Sequence, residues 1–193
     1  MPNKMLNKLI VLISLFFISQ STFASNPQVR IVTNKGNIEI ALNQQKAPKS
    51  VKNFLRYVNS GHYNNTVFHR VIKGFMIQGG GFDTRFQRKN TEQAIVNEAD
   101  NGLRNDRGTI AMARTNVPHS ATAQFFINTA NNDSLNHTGK TMRGWGYAVF
   151  GKVTKGMNVV DTIENSKTGA KAPFSRDAPV EDVIIQKIEI ISE

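Results

Sequence analysis

The sequence predicts a mainly β domain: a closed or nearly closed barrel carrying two helices. Three observations lead there. β-branched runs stand near both ends of the chain, turn-rich loops and short strand-like segments fill the middle, and only two stretches recur at helical spacing. No internal repeat, low-complexity tract or linker interrupts residues 28–193, so this stretch reads as one domain.

The elements follow in order. Lys4 and Lys8 precede an apolar run from Leu9 to Ile18, and small residues stand at Thr22 and Ala24. That three-part pattern is a secretory signal peptide, with the cut expected after Ala24 and residues 25–193 remaining as the mature domain. A permanent membrane anchor is the alternative, but the apolar run is too short for a span of about twenty residues. No later segment is long or apolar enough to cross a membrane, so a soluble domain is expected, in the bacterial periplasm or fully secreted. Next, Val29-Arg30-Ile31-Val32-Thr33 and Asn37-Ile38-Glu39-Ile40-Ala41-Leu42 flank Asn34-Lys35-Gly36. This is a hairpin signature, because Gly36 can take the positive φ that a tight turn demands. Pro48 suits a first helical turn; Val51, Phe54, Leu55 and Val58 recur at helical spacing, and Gly61 ends the run. A second, shorter helix follows Gly156 with Met157, Val160, Asp161 and Ile163. At the end of the chain, Ile184, Ile188 and Ile190 alternate with polar residues as a half-buried strand would.

Composition excludes several chemistries. There is no cysteine, hence no disulfide, thiol nucleophile or thiolate metal site. His62, His69, His119 and His137 lack the close pairing of a metal site, so no metal is expected. Gly79-Gly80-Gly81 is not followed by a phosphate-loop lysine, and no Gly-x-Ser-x-Gly elbow is present. Asn64-Asn65-Thr66, Asn132-Asp133-Ser134 and Asn136-His137-Thr138 fit glycosylation sequons, which count only in a eukaryotic secretory route. The formal charge is +10, of which Lys4 and Lys8 supply two. Positive residues are scattered, with one dense cluster at Arg85, Arg88 and Lys89. A basic solvated surface accounts for this better than a nucleic-acid partner, for which no stacking platform is visible. Nothing indicates more than a monomer.

Four blocks carry a resemblance. Val67-Phe68-His69-Arg70-Val71-Ile72-Lys73-Gly74-Phe75-Met76-Ile77-Gln78-Gly79-Gly80 resembles the signature of the cyclophilins. Gly108-Thr109-Ile110-Ala111-Met112-Ala113-Arg114, Ser120-Ala121-Thr122-Ala123-Gln124-Phe125-Phe126-Ile127-Asn128 and Tyr147-Ala148-Val149-Phe150-Gly151-Lys152-Val153 are similar to that family's later segments. They stand in family order at near-family spacing, and with the terminal strands the resemblance covers residues 28–193. It implies a closed eight-stranded antiparallel barrel capped by two helices, with a groove on its outer face. It also implies a peptidyl-prolyl cis/trans isomerase that acts on proline-containing polypeptides and assists their folding. Carried over position by position, Arg70 is the catalytic residue. Phe75, Met76, Gln78, Ala113, Gln124, Phe126 and Leu135 bind substrate, as do backbone groups of Arg114, and Tyr147 supplies an aromatic wall.

These residue types suit the reaction. Rotating an X–Pro bond needs no nucleophile, proton donor or metal, only relief of amide resonance against a barrier of about 18–20 kcal/mol, and no cofactor is expected. Reaching an ordinary turnover requires roughly 4–7 kcal/mol of selective transition-state stabilisation. A charge-assisted hydrogen bond from Arg70 supplies about 1.5–3 kcal/mol, so the apolar residues must hold the proline ring while the preceding carbonyl swings. The rival reading is a proline-segment binding module or chaperone with incidental turnover, but a pure binder has little need of the arginine.

Two positions depart from the commonest family pattern. Ser134 stands where many cyclophilins carry a tryptophan important for cyclosporin, so weak cyclosporin binding is expected, and Trp145 is not expected to replace it. Tyr147 stands where a histidine is frequent, and the segment Asn136–Gly146 is longer than usual.

Overall fold

The computed structural model describes residues 26–192, and the expected signal segment, residues 1–24, lies outside them. The chain runs β1 (Gln28–Thr33), β2 (Gly36–Leu42), α1 (Pro48–Asn59), β3 (Thr66–Ile72), β4 (Met76–Asp83), β5 (Thr109–Met112), β6 (Phe125–Asn128), β7 (Val149–Lys155), α2 (Met157–Glu164), β8 (Thr168–Lys171), β9 (Phe174–Pro179) and β10 (Ile184–Ser192). Eight strands close an antiparallel barrel in the order β1-β10-β3-β4-β6-β5-β7-β2, while β8 and β9 form a separate two-stranded sheet. Among the described residues no helix is long and apolar enough to cross a membrane.

The first hairpin forms as its sequence dictates. Val29 and Ile31 on β1 and Ile38, Ile40 and Leu42 on β2 point into the barrel and are fully buried. The turn is fastened by Thr33, whose hydroxyl donates to the Gly36 carbonyl at 2.7 Å and accepts the Lys35 N–H. Gly36 has φ 128°, and a Cβ there would stand 2.8 Å from Val159 Cγ2 of α2. The glycine therefore serves both the turn and the close approach of α2.

Helix α1 packs Val51, Phe54, Tyr57 and Val58 against the barrel. Phe54 touches three aromatic rings, with centroids at 5.2 Å (Tyr63), 5.6 Å (Phe125) and 5.2 Å (Phe150). No side chain of its own caps the helix start. Instead Glu98, almost fifty residues away, accepts the backbone N–H groups of Lys49 (3.0 Å) and Ser50 (2.7 Å) and the Ser50 hydroxyl (2.8 Å). A carboxylate here satisfies otherwise orphaned donors and complements the helix dipole.

The last strand corrects the expected alternation. Ile185 is fully buried and Ile188 nearly so, whereas Ile184 is only partly covered. Val32 pairs with Lys187 but Thr33 pairs with Ile185, so Gln186 is an extra residue on β10. A bulge of one residue switches the inward parity, and two isoleucines three apart both face the core. The β8–β9 hairpin, which no local signal predicted, lies against the outside of β3. There it covers His69, stacked at 5.2 Å on Phe174 and tilted at 4.7 Å on Phe82.

Candidate active site

The site is built by strand alternation. Inward residues of β4, β5, β6 and β7 (Ile77, Ile110, Met112, Phe125, Ile127, Phe150) belong to the main core. Their sequence neighbours Met76, Ala111, Phe126 and Val149 face outward and form a second apolar cluster, joined by Phe75, Ala113, Leu135 and Tyr147. Lateral pairing sets a row across the outer face: Arg70 opposite Gln78, Gln78 opposite Phe126, Phe126 opposite Ala111, and Ala111 opposite Val149. A guanidinium, an amide and an aromatic ring thus stand side by side on three adjacent strands.

A cavity of about 100 Å³ opens over this row. It is lined by Arg70, Phe75, Met76, Gln78, Ala113, Arg114, Phe126, Leu135 and Tyr147. Only Gln124 among the residues singled out from the sequence lies outside it, and Gln78 Nε2 donates to Gln124 Oε1 at 2.9 Å. Gln124 lines an adjoining cavity of about 330 Å³ with Gln78, Ala113 and Arg114. Gly81 makes room for it, since a Cβ there would come within 2.5 Å of Gln124 Cδ.

The walls are tightly held. Phe126 and Tyr147 meet edge-to-face at 5.7 Å. The Arg114 guanidinium lies 4.5 Å over the Tyr147 ring, and its Nε donates to the Gly146 carbonyl at 2.9 Å. The Arg114 side chain therefore braces the aromatic wall, a task the sequence reading did not assign to it. The Arg70 side chain is 41% exposed, and its one ion pair among the described residues is a long one, Nε to Asp177 Oδ2 at 3.7 Å. Asp177 comes from β9, so the hairpin that covers His69 also reaches the arginine. Burial pushes the His69 ring down to about 4, with Arg70 and Arg88 adding to the effect.

Sequence reasoning missed the asparagines beneath the pocket. Asn132 Nδ2 donates to the Phe75 carbonyl at 2.7 Å and to Asn128 Oδ1 at 2.6 Å. Asn105 Nδ2 lies 3.1 Å from the Leu135 carbonyl and 3.2 Å from that of Tyr147. Asn128 in turn donates to Asn105 Oδ1 (3.2 Å) and Thr109 Oγ1 (2.9 Å). Buried amides thereby tie the backbones of three pocket residues together. Apart from the Asn128–Asn132 pair their partners lie 19 to 57 residues away, so no local pattern marks them apart from ordinary loop asparagines. Ser134 sits on the exposed turn beside Leu135, and Trp145 points elsewhere, donating to the Asn97 carbonyl at 3.2 Å and packing on His119.

Comparison with known proteins decides what this barrel is. Residues 28–190 match the family described as cyclophilin type peptidyl-prolyl cis-trans isomerase/CLD. The chain belongs to that family. It is similar to a peptidyl-prolyl cis-trans isomerase of Streptomyces antibioticus, 59% identical over 84% of this chain and 98% of the other. Peptidyl-prolyl cis-trans isomerase A of Dickeya dadantii is 50% identical over the whole of both chains. A crystal structure of a Cryptosporidium parvum cyclophilin, determined in the presence of the dipeptide Ala-Pro, shares the fold at TM-score 0.69 and 33% identity. It covers 86% of this chain and 99% of that one. This cyclophilin is accordingly an enzyme, a peptidyl-prolyl cis-trans isomerase, with the expected closed barrel of eight strands and two helices.

Proposed function

We propose that this cyclophilin isomerises X–Pro bonds in exported polypeptides, with Arg70 as its catalytic side chain and the outer apolar cavity as its proline site. The observation that carries this reading is the row Arg70–Gln78–Phe126 on three neighbouring strands beneath one cavity. A proline ring seated against Phe75, Met76, Phe126 and Leu135 brings its amide beside the Arg70 guanidinium. As the bond twists, the nitrogen pyramidalises and gains a lone pair, and resonance in the carbonyl is lost. A permanent cation facing that nitrogen binds the twisted form better than either planar form, which is the differential binding that catalysis requires. Gln78 and Gln124, hydrogen-bonded to each other, are placed to orient the peptide backbone. The long contact to Asp177 leaves the guanidinium free to donate to substrate.

The test is exchange of an X–Pro peptide by residues 25–193, beside Arg70→Ala, with circular dichroism on both. Loss of about 10–100-fold in turnover from a folded variant is the expected result, corresponding to one charge-assisted hydrogen bond. A folded Arg70→Ala variant as fast as the parent overturns the role of Arg70. Cyclosporin added to the same assay should inhibit weakly, because Ser134 stands at the tryptophan position. Export is supported by the Lys4–Ala24 pattern, and a mature N-terminus at Ser25, read by mass spectrometry of the periplasmic fraction, tests it.

A further inference from the structure

The dense basic cluster of the sequence divides in the fold. Arg85 turns to Asp83, 3.6 Å away, whose carboxylate also accepts the backbone N–H groups of Arg85 and Gln87. Arg88 and Lys89 instead line the cavity of about 330 Å³ that adjoins the proline site. Arg88 lies 5.8 Å over the Phe82 ring, and Lys89 Nζ donates to the His62 carbonyl. Arg114 lines the same cavity, with its guanidinium over the Tyr147 ring. None of these three cations has a carboxylate within ion-pair distance among the described residues, and no acidic residue lines the cavity. The nearest carboxylate in sequence, Glu92, pairs with Arg56 at 3.1 Å.

Three uncompensated positive charges around one concavity make a focused positive potential. The two cavities share Gln78, Ala113 and Arg114, so their walls meet. An extended peptide advances at most about 3.5 Å per residue, so a side chain close to the proline in sequence can reach the cavity that shares its wall. Resting on the proline-site reading above, we infer that Arg88, Lys89 and Arg114 make the larger cavity a subsite for an acidic side chain, and that this cyclophilin prefers X–Pro substrates with Asp or Glu near the proline. The polar contribution comes from rim charges, so it acts on binding and association more than on the bond rotation itself.

The experiment compares X–Pro peptides carrying Glu, Gln or Lys at each of the three positions on either side of the proline. Both kcat/KM and Kd by NMR titration are read, at low salt and at about 1 M salt, where the screening length falls to ~3 Å. At one position the Glu peptide should be favoured over Gln about fivefold at low salt, with Lys disfavoured and the preference collapsing at high salt. Arg88→Glu, checked for folding, should abolish or reverse that preference while the Gln peptide keeps its turnover. Equal Kd for Glu and Gln peptides at every position overturns the subsite, as does a preference untouched by Arg88→Glu. Retained Glu preference in binding without turnover of any peptide would support the subsite and sink the catalytic reading instead.

Discussion

Phe125 and Phe126 are adjacent in sequence and lie on opposite faces of β6, at 0% and 4% exposure. Phe125 points into the barrel, where the rings of Phe54, Tyr63 and Phe68 surround it at 5.5–6.1 Å. Phe126 points outward to Tyr147, Met76 and Ala111 under a small cavity rimmed by Arg70 and Gln78. Burial alone does not distinguish the two; what covers them does. Helix α1 closes the inner cluster, while the outer one is roofed on one side by side chains and left open on the other. A sheet with one face packed must still do something with its second face. Here the alternation that fills the core also sets a row of functional groups on the outside.

Truncating the two rings should separate their roles. Phe125→Ala should cost about 3–5 kcal/mol in denaturant unfolding, as expected for a large ring removed from a sealed core. Phe126→Ala should cost about half that, yet raise KM and lower turnover on X–Pro peptides. Equal destabilisation by the two would mean that the outer cluster is merely more core. A second test concerns a buried group on the outer face. The ring of His69 is held neutral, with its proton affinity lowered from 6.5 to about 4 by burial, and its Nδ1 finds no hydrogen-bond partner among the described residues. Between these two values the unfolded chain binds the extra proton and the fold does not. Stability is therefore complete above pH 6.5 and falls as the pH drops from 6.5 towards 4, by on the order of 3 kcal/mol. His69→Phe should flatten that decline in pH-dependent melting; an unchanged slope would rule out the ring as its source. The smallest effect tests the support beneath the pocket. Asn105→Ala removes the amide shared by the Leu135 and Tyr147 carbonyls and should cost about 1–3 kcal/mol, and it should also raise KM for peptide. A loss of stability with KM unchanged would make Asn105 structural only.

Much of this was legible because it is local. Pro48, the helical repeat through Val58 and the stop at Gly61 predict α1 within a residue or two, and the β1–β2 hairpin follows from its turn chemistry. Of the residues carried over from the resemblance, Arg70, Met76, Gln78 and Phe126 lie on strands, where parity fixes the shared outer face, whereas Phe75, Ala113, Arg114, Leu135 and Tyr147 stand between strands and meet the same cavity only in the fold. What escaped notice was non-local. The extra residue at Gln186 moves the core position from Ile184 to Ile185 only because β1 is the partner. Glu98 reads as an ordinary charged loop residue until α1 is brought to it. Asn105, Asn128 and Asn132 look like turn formers and are in fact a buried amide cluster. The basic cluster looked uniform, and the fold assigns Arg85 to a surface pair and Arg88 and Lys89 to a cavity.

Which residues alternate, where the helices start and stop, and which side chains of each strand travel together are local properties of the chain, since they follow from backbone periods of two and 3.6. Which strands are neighbours, which distant carboxylate caps α1, which backbones the asparagines join and which charges lack a partner among the described residues emerge when the chain folds. Those depend on closing the barrel, where groups separated by tens of residues gain or lose hydrogen bonds and counter-charges according to what the other segments leave beside them.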